Sequence, residues 1–93
     1  MDSEVRKIIS AVADEYVVTV DEILGQSRKR KISDARLMSI CLIRQKCKLT
    51  VMAIGEIFGR SHATICHDSK RMMDLTEYDK ATKLHYLHLK EKI

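Results

Sequence analysis

A chain of 93 residues makes one domain around one modest core. Its composition, 45% hydrophobic and 32% charged, excludes a disordered tail, and the absence of proline with only three glycines favours helices over a turn-rich sandwich. The net charge of +4 is focused: residues 1–25 carry two basic and six acidic side chains, residues 26–48 eight basic and one acidic, and residues 49–93 seven basic and six acidic.

A positive segment of that kind suits a polyanion, because each phosphate it neutralises releases counterions. The plainer alternative is a solvated helix face beside a basic loop. No apolar stretch is long enough to span a bilayer, and Met1-Asp2-Ser3-Glu4 lacks the basic start of a secretory signal. Three cysteines, Cys41, Cys47 and Cys66, sit within apolar patterns, as expected of reduced thiols in a cytoplasmic protein.

In chain order, Val5, Ile8, Ile9, Val12 and Tyr16 recur at the spacing of one buried stripe and predict a helix from about Ser3 to Val17, with Ser3 as its N-cap. Tyr16 to Val20 reads as an extended connector, since one strand would have no partner. Val20 to Leu24 is a short helix with acids in its first turn and Gly25 as its stop. A basic loop follows, over about residues 26–32. Asp34 to Lys48 reads as the central helix, capped by Ser33 and apolar on more than one face. Thr50 caps a helix from Val51 to Phe58, Gly59 ends it, and Ser61 caps a further helix from His62 to about Leu75. That helix turns Ile65, Ser69 and Met72 inward, with Met73 as a further candidate. A last helix is expected over about residues 79–93, although Leu84 to Leu89 alternates like a strand.

The functional signal lies between about residues 50 and 75. Two helices joined by Gly59-Arg60-Ser61 form a helix-turn-helix pattern: the glycine permits the sharp turn and the serine caps the second helix. That helix would present its first turn to a major groove, where base edges carry a distinguishing code. Arg60, Ser61, His62, Ala63, Thr64 and His67 are small or polar, where a core-facing turn would carry leucine or valine. An ordinary helical corner is the competing reading.

The run Ile54-Gly55-Glu56-Ile57-Phe58-Gly59-Arg60-Ser61-His62-Ala63-Thr64-Ile65, with His67 beyond it, resembles the signature of the C-terminal DNA-binding domain of the bacterial replication initiator DnaA. Val5 to Leu24 resembles that family's opening helices and Arg28 to Lys31 its basic loop, so the resemblance covers roughly residues 4–75. It implies an all-α fold of five or six helices, Trp-repressor-like, in a single domain over residues 1–93. It also implies sequence-preferring binding of double-stranded DNA, related to recognition of replication-origin boxes. Base contacts would come from Arg30 in the minor groove, with Arg28 as its neighbour, and from Ser61, His62 and Ala63 in the major groove. Backbone contacts would come from Arg28, Arg44, Lys48, Thr50, Arg60, Thr64 and His67.

The chain departs from the family pattern in four places. Ser61 replaces an aspartate, one glycine of the turn is missing, Asp34-Ala35 replaces a basic residue and proline, and Val51-Met52 lacks a proline. A serine hydroxyl is a more permissive reader than a carboxylate, so the initiator's own recognition sequence does not carry over.

No phosphate-binding Gly-x-x-x-x-Gly-Lys-Ser/Thr loop occurs, and the chain is too short for an ATPase domain. It is therefore expected to be an excised domain or a free-standing relative, and the helix so close to Met1 favours the second. His62 with Cys66, and His85 with His88, have no zinc-site spacing between them, so neither metal nor cofactor is expected. Cys66 and His67 point about 100° apart on a helix and cannot form a nucleophilic pair, so no enzymatic activity is expected. Cys41, Cys47 and the pairs Met38 with Met52 and Met72 with Met73 read as core. Double-stranded DNA is the expected partner, in the cytoplasm at the nucleoid, with no membrane. The alternatives are a transcriptional regulator, a mobile-element protein, or an interaction module that docks a partner or a second copy through Leu87, Leu89 and Ile93.

Overall fold

The computed structural model describes residues 2–93, so the expectation attached to Met1 lies outside the described residues. Among these the chain is all helical, with helices α1 (Ser3–Tyr16), α2 (Val20–Leu24), α3 (Arg30–Lys46), α4 (Val51–Phe58), α5 (His62–Tyr78) and α6 (Lys80–Lys92).

In α1 the stripe Val5, Ile8, Ile9, Val12 and Tyr16 is buried, as its spacing requires. The cap differs from expectation. Asp2, not Ser3, takes the position, and its carboxylate accepts from the Glu4 amide at 2.8 Å, leaving Ser3 as the first helical residue. The connector is also not extended throughout. Val17 closes α1 in the left-handed region (φ 57°), where the Val18 amide reaches back to the Ala13 carbonyl at 3.0 Å. Helix α2 is opened by a reciprocal capping box: the Glu22 amide donates to the Thr19 hydroxyl at 3.1 Å and the Thr19 amide to the Glu22 carboxylate at 2.9 Å.

Helix α3 is the axis of the domain. Every residue from Ala35 to Ile43 is buried, as befits a helix apolar on all sides, and α1, α2, α4 and α5 all pack against it. It begins four residues earlier than the sequence suggests. The basic loop is therefore confined to residues 26–29, and Arg30 and Lys31 belong to the first helical turn. Burial of Ile32 explains the early start, since it extends the inward surface of α3 by a turn. Ser33 is then interior, its amide bonded to the Lys29 carbonyl at 2.8 Å, and caps nothing.

Helix α5 runs to Tyr78, because no glycine or proline stops it before Asp79. The Asp79 carboxylate accepts from the Thr82 amide at 3.0 Å and starts α6. The inward stripe of α5 is Ile65, Ser69, Met72 and Thr76, whereas Met73 lies at its edge, 39% exposed. Helix α6 buries only Leu89 completely, packs Tyr86 and Ile93 against the edge of the core, and makes polar contacts to α1 and α3. His85 and His88 direct Nδ1 at one Glu15 oxygen, at 2.8 and 3.3 Å, and Lys92 reaches the other at 3.7 Å. The His85 ring also lies 4.4 Å from that of Tyr16, and the Tyr86 hydroxyl donates to Gln45 at 3.0 Å. Among the described residues no helix is long and apolar enough to cross a membrane.

Candidate nucleic-acid interface

Three small residues bound α4 and open α5. Thr50 caps α4 by accepting from the Ala53 amide at 3.1 Å. Gly59 ends that helix at φ 65°, a conformation that a side chain disfavours. Ser61 then opens α5, its hydroxyl accepting from the Thr64 amide at 3.3 Å and lying 3.0 Å from the Thr64 hydroxyl. Gly55 is needed for a separate reason. The Arg60 amide donates to its carbonyl at 2.8 Å, and a methyl group at Gly55 would collide with the Arg60 carbonyl oxygen.

This geometry turns the opening of α5 outward. Ser61, His62, Ala63, Thr64 and His67 are exposed, while Ile65 is completely buried and anchors the turn beneath them. The Ser61 and Thr64 hydroxyls are already engaged with each other, so among the expected base readers His62 has the freest hydrogen-bonding group and Ala63 offers a methyl.

The cationic residues divide by position. Arg28 lies in the exposed loop and shares a cleft of about 450 Å³ with Gln26, Ser27, Arg60, Asp68 and Arg71. Loop and turn therefore meet. Arg60, half-buried, folds back to donate to the Phe58 carbonyl at 2.7 Å. Arg30 does not line this cleft. It stands almost fully exposed on the first turn of α3 with Asp34 at 3.8 Å. Lys48 and Thr50 are exposed between α3 and α4. Arg44 is exposed but clipped to α5, donating to the Ser69 hydroxyl at 2.7 Å.

One arginine of the basic segment is turned inward, at the floor of the cleft. Arg36 is 5% exposed and lies under the loop, where its guanidinium donates to the carbonyls of Ile23 (2.7 Å), Ser27 (3.0 Å) and Glu22 (3.1 Å). Burial lowers its pKa, the charge of Arg60 adds to that effect, and Asp68 opposes it. Charge counting could not separate this inward arginine from its outward neighbours. Conversely, Arg71 escapes notice in the sequence, although its spacing of four from His67 along α5 could have signalled it.

The Cys41 thiol is buried, and burial raises its pKa to about 11, so it is no nucleophile at neutral pH. Among the described residues no group of histidine, cysteine and carboxylate side chains is arranged to hold a metal ion. A larger groove of about 660 Å³, between α1 and the ends of α3 and α6, contains none of the helix-turn-helix residues.

The family described as the bacterial dnaA protein helix-turn-helix matches residues 5–72. Similar proteins include chromosomal replication initiator protein DnaA 2 of Protochlamydia amoebophila, 34% identical over 74 residues, covering 80% of this chain and 16% of that protein. The chromosomal replication initiator protein DnaA of Synechocystis is 34% identical over 87 residues, covering 92% of this chain and 20% of the relative. That of Gloeothece citriformis is 36% identical over 73 residues, covering 77% and 16% respectively. The chain thus spans at most about a fifth of the length of these relatives.

Proposed function

The chain belongs to the bacterial DnaA helix-turn-helix family, and on that footing we propose that it binds double-stranded DNA with a sequence preference related to replication-origin boxes. The observation that carries this reading is the exposed first turn of α5, which stands next to an arginine-lined cleft continuous with the basic loop. The N-terminus of α5 enters the major groove, where His62 contacts base edges and Ala63 packs on a thymine methyl. Ser61 serves mainly as the helix cap and reads weakly. Thr50, Thr64, His67, Lys48, Arg44 and Arg60 meet phosphates, with Arg71 added to their number.

Within the basic segment Arg28 enters the adjacent minor groove and Arg30 follows the flanking backbone. Support for this order comes from the loop position of Arg28 beside Arg60, and from the helical position of Arg30 beside Asp34. The chain acts as a binding module of nucleoid DNA in the cytoplasm, not as a catalyst. Of the three α6 residues expected to dock a partner, Leu89 is instead fully buried in the core and Ile93 is partly buried against it, so only Leu87, with Leu84 one turn away, is left exposed for a second reading, docking of a protein partner or another copy, which can coexist with the first.

Selection of bound duplexes from a random pool tests the proposal, with Ser61→Asp run in parallel. Enrichment of one motif by the native chain, and of a narrower one by the variant, is the expected outcome. Recovery of unenriched sequences by both would refute sequence preference.

A further inference from the structure

We infer that Arg36 is a positioning residue for DNA binding: it holds the basic loop in its bound shape before any duplex arrives. This rests on the reading just given, since the loop matters only if Arg28 touches DNA.

Loop residues 26–29 join the end of α2 to the start of α3, and local hydrogen bonding at the two boundaries is sparse: the loop's own bond is that of the Lys29 amide to the Ser27 hydroxyl at 3.3 Å. Helix α2 has five residues, and its C-cap Gly25 returns one bond, of 3.3 Å, to the Glu22 carbonyl. Helix α3 opens at Lys29 with no side-chain cap. Into this gap α3 projects the Arg36 guanidinium, which takes two carbonyls at the end of α2 and one in the loop itself. All three nitrogens are thereby engaged in charge-assisted bonds, and the side chain is nearly inaccessible. A group so placed cannot serve as a phosphate contact. It ties the loop to α2 and α3, two helices that already pack against each other.

Lysine could not replace it, because one ammonium cannot span three carbonyls in the plane that a guanidinium covers. The consequence falls on Arg28, one residue beyond the tethered Ser27 carbonyl and on the rim of the cleft that Arg60 and Arg71 share. A loop ordered in advance spares the complex the entropy of ordering it on binding. Arg36 therefore strengthens binding through Arg28 without touching the duplex.

The test is a double-mutant cycle of Arg36→Met and Arg28→Ala, measured as duplex affinity at fixed salt and at a temperature where both variants are folded. Each single variant is expected to weaken binding by about tenfold, and the double variant by scarcely more than either one. Arg36→Lys is expected to behave as Arg36→Met. Losses that multiply in the double variant would overturn the inference, as would full affinity in Arg36→Met. Should Arg36→Met not fold, the unaltered chain still decides, by nitrogen relaxation and hydrogen exchange. A slowly exchanging Arg36 Nε–H with loop amides as rigid as those of α3 supports the inference, and a fast-exchanging Nε–H beside a mobile loop overturns it. Failure of the native chain to bind any duplex is a different result, and removes the DNA reading itself.

Discussion

The Cα of Gly55 faces the carbonyl oxygen of Arg60 too closely for a methyl group to fit between them, and the Arg60 amide closes the same contact by donating to the Gly55 carbonyl at 2.8 Å. The helix-turn-helix angle thus depends on a missing side chain in the middle of α4 as well as on the glycine at its end. Gly55→Ala is expected to destabilise the fold by about 2–3 kcal/mol, since the colliding atom is backbone and cannot swing aside. Gly59→Ala meets strain at φ 65° and only an ordinary contact, with the Gln26 side chain at 3.7 Å, and should lose about 1 kcal/mol. Urea denaturation of both variants checks this, and equal losses would disprove the close approach at Gly55.

Base reading and phosphate clamping separate by their dependence on sequence. His62→Ala should lose about 1–3 kcal/mol on the preferred duplex and little on random ones, whereas Lys48→Ala should weaken all duplexes about equally. Titrations against matched and scrambled duplexes give the comparison. The same sequence-independent effect in both variants would contradict the assigned roles.

Arg28 and Arg30 are distinguished by the flank. A narrow, A·T-rich minor groove attracts an inserted arginine, so Arg28→Ala should cost more affinity on A·T flanks than on G·C flanks. Arg30→Ala should lose similar amounts on both. The reverse pattern would return the minor-groove role to Arg30.

Helix α6 adds a pH dependence through Glu15. The hydrogen bond from His85 holds that carboxyl below its ordinary value of 4.5, with His88 acting in the same direction and burial opposing. The folded value lies below the unfolded one. The carboxylate's contribution is therefore complete above pH 4.5 and is lost as the pH falls through the folded value. Glu15→Gln should be less stable by about 1 kcal/mol at neutral pH, and the difference should shrink on the acid side of 4.5. Denaturation curves across that range test it, and a gap independent of pH would show that packing, not charge, holds α6 at this point.

Val17 is the one described residue other than glycine at positive φ, and it is 76% exposed. A β-branched residue there is strained and buries nothing in return. Val17→Gly is expected to stabilise the chain by about 0.5–1 kcal/mol, the relief of strain exceeding the added freedom of the unfolded chain. A fall in melting temperature would show that Val17 has a packing role after all.

What the sequence by itself determined was local. The spacing of Val5 to Tyr16 makes one buried stripe on any α-helix, and Gly59 with Ser61 stops one helix and caps the next within three residues. Those patterns sufficed for the helical fold and for the outward first turn of α5. Other features depended on partners distant in the chain. Nothing near Arg36 marks it as inward, because its acceptors lie 9 to 14 positions earlier, and His85 finds Glu15 across 70 residues. Ile32 likewise looked like loop until the core that buries it was assembled, and its burial moved the start of α3 back to Arg30. Periodicity shows which face of a helix is apolar, but only packing decides which charged side chain is taken inside, because the carbonyls that compensate its burial come from other segments.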